Sequence, residues 1–139
     1  MLTDREWIRR ASMDASRSLD PSTKVGCVVV KNDKELSFGW NCFPDKVVDT
    51  SDRWNNRDLK YKMIVHAEIN AIINKNVRGA TAYVTHHPCS CCMAAMIQAG
   101  IERVVTLKPE PDFESRWEES IRISKMMCEE ADVDLVLLD

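Results

Sequence analysis

The chain of 139 residues is 45% hydrophobic and 29% charged, with a formal net charge of −3, a composition that is ordinary for a globular protein. This length predicts a single domain over residues 1–139, with room for a sizeable core. The mildly acidic balance excludes a broad cationic surface for nucleic acid, and no apolar run is long enough to span a membrane, so we expect a small-molecule partner.

The first forty residues predict a helix followed by a β-hairpin. Thr3 and Glu6 have the form of a capping box, which opens a helix that we expect to end near residue 19. Residues 25–30 are almost wholly apolar and rich in β-branched side chains, as in a strand that is buried on both faces. A polar turn and a return strand over 35–40 complete the hairpin.

Residues 41–60 show neither a helical nor a strand period, so we expect a long surface loop. The segment combines Pro44 with closely spaced Asp, Asn and Arg residues, and loops of this length are usually functional or disordered. Trp40 and Trp54 flank it. We expect both to pack the ends of the loop, and stacking on a nucleobase is the alternative.

Helices and strands alternate in the remainder of the chain. The pattern predicts helices over 63–74, over 89–99 and after a cap at Asp112, and strands over 80–85, 103–107 and 133–138. In the last helix one side carries Trp117, Ile121, Ser124 and Cys128. This order argues for βαβ units and a mainly parallel core sheet that is covered by helices.

Two short motifs, each at the start of a predicted helix, carry ligands for a metal ion. The first contains His66 and Glu68, and the second contains Cys89 and Cys92, whose i, i+3 spacing places both thiols on one helical face. One imidazole and two thiolates suit tetrahedral Zn²⁺ and leave its fourth position to water, as in a catalytic site. The positive end of a helix also favours the thiolate form.

The spacing of His66 and Glu68 sets a geometric condition. Side chains at i and i+2 are about 200° apart around a regular helix, so the pair serves one site only at the first turn, with the preceding loop bent round. The alternative is a closed structural zinc with a fourth protein ligand. The candidates for that ligand are Cys91, Cys27, His86 and His87. Because adjacent side chains diverge on a helix, we expect Cys91 to be a core or supporting thiol.

The six cysteines favour metal binding or reduced thiols over disulfides. Three of them are crowded into residues 89–92, and the others are scattered. The start of the chain is charged and lacks the apolar segment of a signal peptide. Free thiols without a secretory signal are typical of a reducing compartment, so we expect a cytoplasmic protein.

Taken as a set, these residues resemble the zinc-dependent cytidine and deoxycytidylate deaminase superfamily, and most closely its deoxycytidylate (dCMP) deaminases. The similarity covers most of the chain, in residues 20–26, 39–41, 60–61, 66–72, 83–85, 88–92 and 99–101. It implies a three-layer α/β/α fold, with a mixed five-stranded sheet and helices on both faces. It also implies an oligomer, either a dimer or a hexamer.

The resemblance implies hydrolytic deamination of dCMP to dUMP with release of ammonia. Zn²⁺ would be held by His66, Cys89 and Cys92, Glu68 would carry protons, and Asn41 corresponds to a residue that contacts the sugar. The other substrate-binding candidates are Lys24, Gly26, Ala67, Thr85, His86 and Pro88. The basic candidates for the phosphate contact are Arg53, Arg57 and Lys60, and each of them also suits an ordinary solvated charge.

Residues 39–46 depart from the family pattern. Many dCMP deaminases have Gly-Tyr-Asn-Gly-x-Pro-x-Gly here, and this chain has Cys42 and Lys46 in place of the two later glycines. Because glycine permits a positive φ and close backbone approach, the departure argues against regulation by dCTP and dTTP and against a strict dCMP preference. The alternatives are another cytosine nucleotide (5-substituted dCMP, CMP or dCTP), a tRNA adenosine or free-base deaminase, and a zinc-stabilised binding module.

Overall fold

A computed structural model describes the backbone of residues 1–139 and all side chains except those of 112–116. In chain order the elements are α1 (Asp4–Ala15), β1 (Gly26–Lys31), β2 (Lys34–Trp40), α2 (Ser51–Asn55), α3 (Arg57–Met63), α4 (Ala67–Ile72), β3 (Thr81–Val84), α5 (Ser90–Gln98), β4 (Arg103–Leu107), α6 (Pro111–Glu130) and β5 (Asp134–Leu138). None of the helices in the described part of the chain is long and apolar enough to cross a membrane.

The five strands form one mixed sheet with the order β2-β1-β3-β4-β5. β1 pairs antiparallel with both β2 and β3, whereas β3, β4 and β5 run parallel. α5 and α6 are the crossovers between the parallel strands, as βαβ units require. The predicted mixed five-stranded α/β sheet is therefore confirmed.

Helices cover both faces of this sheet, as predicted. α1 packs on one face, in a cluster that consists of Trp7, Ile8, Ala11, Val28, Val30, Tyr83 and Val105. α4 and α5 pack on the other face with part of α6, in a cluster that includes Cys27, Val29, Ala67, Ala71, Met93, Met96 and Cys128. Alternate residues of β1 belong to different clusters because successive side chains of a strand point to opposite faces. The three-layer α/β/α architecture follows from this arrangement.

The capping box is present, but α1 is shorter than predicted. Thr3 Oγ1 accepts a hydrogen bond from the Glu6 backbone N–H at 3.2 Å. The helix ends at Ala15. Ser18, expected to be helical, instead donates its hydroxyl to the Asn41 carbonyl at 2.7 Å. The N-terminal segment is thereby tied to the end of β2.

The prediction of an irregular loop over 41–60 is wrong in its second half, which forms α2 and α3. The side chains of Thr50 and Asn56 cap these two helices. Trp54 is buried and stacks on Phe43, with 4.1 Å between ring centroids, so it packs the segment as expected. Helices of five and seven residues are too short to show an amphipathic period, which is why the sequence pattern does not reveal them.

Three further details differ from the predictions. The helix expected over 63–74 is only α4, because residues 57–63 already belong to α3. Lys46 adopts a left-handed φ of 71°, so the expectation that a lysine there excludes a positive φ is wrong. The predicted cap Asp112 lies outside the described side chains, and α6 begins at Pro111.

Two glycines let helices approach the sheet more closely than any side chain permits. A Cβ atom on Gly26 would lie 2.0 Å from the Ala11 carbonyl oxygen of α1, and one on Gly39 would lie 2.5 Å from the Ala67 carbonyl oxygen of α4. Neither gap can hold a methyl group unless the backbone moves. Gly26, expected as a substrate contact, therefore has a packing role in this fold.

We expect Gly26→Ala to lower the free energy of unfolding by about 3 kcal/mol, because α1 must move away from β1. Gly79→Ala is the matched control. An added Cβ there meets the flexible Lys31 ammonium at 3.3 Å, and the φ of 80° is the main penalty, which costs about 1 kcal/mol. Chemical denaturation measures both variants, and equal losses would contradict the packing role of Gly26.

Candidate active site

Three segments of the chain meet at one edge of the sheet. In the ladder Gly26, at the start of β1, pairs with Trp40 at the end of β2. Cys27 pairs with Val84 at the end of β3. The residues before β1, after β2 and after β3 therefore converge at this edge, and they include Asp20, Asn41 and Cys89.

The turn into α4 has the geometry that the spacing of His66 and Glu68 requires. Val65 pairs with Cys42 through two backbone hydrogen bonds of 2.8 and 3.1 Å. His66 then caps the helix in an extended conformation (φ −70°, ψ 155°), and Glu68 lies in the first helical turn. Asn70 donates to the Trp40 carbonyl at 2.8 Å and holds α4 against the end of β2. The imidazole of His66 therefore projects from an extended residue that precedes the first helical turn.

The structure brings the three predicted metal ligands together. The ligand atoms of His66, Cys89 and Cys92 all lie within 4.8 Å of one another. His66 Nδ1 is 3.1 Å from Cys92 Sγ and 3.7 Å from Cys89 Sγ. Tetrahedral zinc with Zn–N and Zn–S bonds of about 2.0 and 2.3 Å places such atoms roughly 3.5 Å apart. The donor set and its spacing therefore fit Zn²⁺.

A closed structural zinc site has no support among the described side chains, where no fourth His, Cys, Asp or Glu joins this group. Cys27 is fully buried in the core. Cys91, expected as a core or supporting thiol, is exposed and lines the cavity beside the ligands. The core alternative for Cys91 is therefore wrong, whereas a supporting role beside the ligands stays a prediction.

Proton sharing and burial shape the electrostatics of the group. Cys92 donates its thiol proton to Cys89, which lowers the pKa of Cys89 to about 4 and raises that of Cys92 well above its usual range. The contact with Cys89 raises the pKa of His66. Burial raises the pKa of Glu68 to about 7. A carboxyl group with that pKa can both take up and release a proton near neutral pH.

A cavity of about 620 Å³ opens beside these groups and has the size of a small-ligand site. Of the predicted substrate and phosphate residues, those that line it are Asn41, Ala67, His86, Arg57 and Lys60. Burial lowers the pKa of His86, which favours a neutral imidazole in the cavity wall. The ligands His66 and Cys89 and the carboxyl of Glu68 share this cavity.

The other predicted contacts do not line the cavity. Thr85 Oγ1 accepts from the Gly26 backbone N–H at 3.1 Å, so it joins β1 to the segment after β3. The guanidinium of Arg53 in α2 donates to the Val48 carbonyl, just before that helix, at 2.8 Å. Pro88 is buried behind the ligand turn, and Lys24 is exposed.

The side-chain amide of Asn41 forms hydrogen bonds with other residues of the chain. Its Nδ2 donates to the Thr23 carbonyl at 2.9 Å and to Asp20 at 3.3 Å. Its Oδ1 accepts from the Val25 backbone N–H at 2.9 Å. Asn41 therefore fixes residues 20–25, which form one wall of the cavity.

Lys60 is a buried partner of Asp20, and its expected alternative as a solvated charge is wrong. The ammonium of Lys60 donates to Asp20 Oδ1 at 3.1 Å and to Ser22 Oγ at 2.9 Å, and both charged side chains are 5% exposed. Although burial opposes the ionisation of Asp20, hydrogen bonds from Ser22, Lys60 and Thr23 hold its pKa below the ordinary value. The sequence pattern gives no sign of this pair because its members are forty positions apart.

α6 also reaches the cavity, although its sequence pattern does not predict this. Ile121, Ser124 and Cys128 are buried as predicted, but Trp117 is 38% exposed and lines the cavity together with Ser120. The backbone at Trp117 is non-helical (φ −117°, ψ 17°) and breaks the regular period of the helix. Trp117 and Ser120 therefore extend α6 into the cavity wall, a position that the helical period alone does not indicate.

The α/β/α fold, the His/Cys/Cys group and the adjacent buried carboxyl define the class of zinc-dependent nucleobase deaminases. Residues 1–108 match the family model described as the cytidine and deoxycytidylate deaminase zinc-binding region. The chain belongs to this family.

Relatives with assigned names include several deaminases. An uncharacterised deaminase of Aliivibrio fischeri is 39% identical, over 96% of this chain and 94% of that protein. A probable deoxycytidylate deaminase of Caenorhabditis elegans is 40% identical over 91% of this chain, and the deoxycytidylate deaminase of Homo sapiens is 40% identical over 68%. The chain spans 65% and 58% of the length of these two animal proteins.

Two solved structures show the same fold. The dCMP deaminase of cyanophage S-TIM5, in complex with dCMP and dUMP, has a TM-score of 0.76 at 24% identity and covers 96% of this chain and 95% of that one. RibD of Acinetobacter baumannii has a TM-score of 0.68 at 25% identity, over 96% of this chain and 34% of that one.

We expect Lys60→Met to destabilise the protein by roughly 3–5 kcal/mol, because it leaves the Asp20 carboxylate buried without its ammonium partner. The double variant Asp20→Asn/Lys60→Met should recover part of this loss, since it removes both charges. Urea denaturation measures each variant.

Lys62→Met is the control on the same helix. Lys62 pairs with Asp58 at 3.3 Å, but both side chains are more than two thirds exposed, so the expected loss is below about 1 kcal/mol. Equal losses for Lys60→Met and Lys62→Met would show that the buried pair has no special role in stability.

Proposed function

We propose that the protein is a zinc-dependent hydrolase that converts dCMP and water to dUMP and ammonia. The observation that carries this proposal is the juxtaposition of His66, Cys89 and Cys92 with the buried carboxyl of Glu68 in one cavity. The names of relatives that are about 40% identical support the choice of dCMP as substrate.

Each polar group at the base of the cavity has a distinct task in this reaction. Zinc, when bound by His66, Cys89 and Cys92, supplies a nucleophile at neutral pH because coordination lowers the pKa of water. Glu68 accepts a proton from the attacking water and passes it to N3 of the pyrimidine. It then takes the second proton of the same oxygen, which has by now bonded to C4, and delivers it to the amino group, so that the C4–N bond breaks and ammonia leaves.

The basic residues around the cavity differ in how well they suit the phosphate. Arg57 is exposed, lines the cavity and lies over the Tyr61 ring at 5.5 Å, so its guanidinium is held at the entrance. Lys60 already donates to Asp20 and Ser22. We propose Arg57 as the main phosphate contact, whereas Lys60 is neutralised by Asp20 and serves to order residues 20–22 of this wall. Arg53 and Lys24 are poorer candidates because neither lines the cavity.

We propose that Asn41 affects sugar binding mainly by fixing residues 20–25, which form one wall of the cavity. Its amide fixes residues 20–25, and its Oδ1 accepts one hydrogen bond from Val25 while a carbonyl oxygen has two lone pairs. The 3′-hydroxyl of the deoxyribose can therefore donate to Asn41 without displacing Val25. Ala67 and His86 provide the remaining walls near the ring.

The second candidate substrate is a phosphoribosylated diaminopyrimidine. A diaminohydroxyphosphoribosylamino-pyrimidine deaminase of Buchnera aphidicola is 36% identical over 66% of this chain, and Cys42 and Lys46 depart from the dCMP deaminase pattern. The net charge of −3 argues against a tRNA substrate. A purely structural zinc module has no use for the buried carboxyl of Glu68. Assembly into a dimer or hexamer stays a prediction.

A substrate panel tests the proposal. Zinc-loaded protein is incubated with dCMP, CMP, deoxycytidine, dCTP, 5-substituted dCMP and the phosphoribosylated diaminopyrimidine, and ammonia release is measured. We expect the highest kcat/KM with dCMP and a much lower one with deoxycytidine, which lacks the phosphate. Preferential turnover of the diaminopyrimidine would establish the second candidate, and no turnover of any compound would refute both.

The Glu68→Gln variant tests the proton-carrying role. We expect it to retain zinc and lose roughly 10²- to 10⁴-fold in kcat, because an amide cannot take up the proton of water. Glu129→Gln, at an exposed position near the end of α6, is the control and should leave kcat unchanged. Zinc content is measured by elemental analysis, and an active Glu68→Gln enzyme would show that another group moves the proton.

A further inference from the structure

Two serines of α6 form hydrogen bonds with the turn that carries Cys89, one on each side of the cysteine. Ser120 Oγ accepts a hydrogen bond of 2.8 Å from the backbone N–H of Ser90. Ser124 Oγ donates to the Pro88 carbonyl at 3.3 Å. Residues 88 and 90 flank the cysteine, and the two serines are one helical turn apart on the same face of α6.

The role of Ser120 follows from how α5 begins. Cys89 occupies the position before the first helical residue, and its side chain makes no capping hydrogen bond. Ser, Thr, Asp and Asn usually fill such a position and satisfy a free N–H of the first turn. Here the residue at this position is Cys89, whose thiol lies beside the ligand atoms of His66 and Cys92. The hydroxyl of Ser120, from another helix, satisfies the Ser90 N–H instead.

Ser124 acts on the other side of the cysteine from a fully buried position. Its relative exposure is 0%, so its hydroxyl requires a partner within the protein, and the Pro88 carbonyl provides it. The ring Nδ1 of His87 lies 3.0 Å from the same carbonyl. Ile121 and Cys128, which are 3% and 2% exposed, anchor this stretch of α6 in the core. The serines are therefore presented by a packed helix.

We propose that Ser120 and Ser124 are positioning residues for the metal site. By fixing the backbone on both sides of Cys89, they keep its sulfur at ligand distance from His66 Nδ1, now 3.7 Å away. Both serines lie beyond residues 1–108, which the family model matches. The inference rests on the proposed metal site but not on the identity of the substrate.

Metal affinity tests the inference directly. Groups that hydrogen-bond the surroundings of metal ligands typically change affinity about 10- to 100-fold. We expect the Ser120→Ala/Ser124→Ala double variant to bind Zn²⁺ at least about tenfold more weakly than wild type, in competition with a chromophoric chelator. Co²⁺ substituted into the site should show shifted absorption bands in this variant, since the thiolate geometry changes.

Three further variants separate positioning from general stability. Ser120→Thr keeps the hydroxyl and should restore the affinity of wild type within about twofold. Ser12→Ala is the matched control, because Ser12 donates to the Ile8 carbonyl within α1 at 3.1 Å, away from the site. Ser120→Ala alone carries the test if the buried Ser124→Ala change prevents folding, because Ser120 is only half-buried at the cavity.

The outcomes are distinct. Zinc affinity and cobalt spectra that match wild type would overturn the proposal. So would a loss of affinity in which the zinc-stripped variant is destabilised by the same free energy, since packing alone then explains it. Wild-type protein that binds no zinc would refute the metal site together with this inference. Protein that binds zinc but does not deaminate dCMP would contradict the proposed substrate only.

Discussion

The geometry of the candidate site depends on the point at which the backbone changes from extended to helical. His66 and Glu68 are too far apart around a helix to face one site, so the backbone must remain extended at His66 and turn helical at Ala67. The bridge between Cys42 and Val65 imposes the extended segment. The absence of a side chain at Gly39 then lets α4 begin directly on the sheet.

The cysteine motif solves a similar problem with different means. At the start of α5 a cysteine replaces the usual hydroxyl or carboxylate cap, and the backbone N–H of Ser90 is satisfied by the Ser120 hydroxyl of α6. The cavity wall that contains Asp20 also depends on a partner distant in sequence, because Asp20 and Lys60 form a buried ion pair. The reactive groups thus remain available because other residues provide the hydrogen bonds that hold the backbone.

Short-range sequence patterns predicted those features of the fold and the site that depend on neighbouring residues. The strand over 103–107 follows from its short-range apolar pattern, and the grouping of His66, Cys89 and Cys92 follows from their ligand chemistry; the structure agrees with both. The pattern could not reveal α2 and α3, whose few turns carry no measurable period, nor the burial of Lys60, which depends on a partner forty positions away. The exposure of Cys91 and the approach of Ser120 to Ser90 likewise depend on how α5 and α6 dock, and tertiary packing of this kind leaves no trace in a single sequence.

The stack of Phe43 on Trp54 has a consequence for how the protein can vary. These rings pack together at the two ends of a segment whose residues 44–50, before α2, are all exposed. For a loop with fixed ends, each doubling of its length costs only about 0.6 kcal/mol of closure entropy. Insertions or deletions within residues 44–50 should therefore leave Asn41 and Lys60 in place, so the chain can change length here without disturbing the cavity.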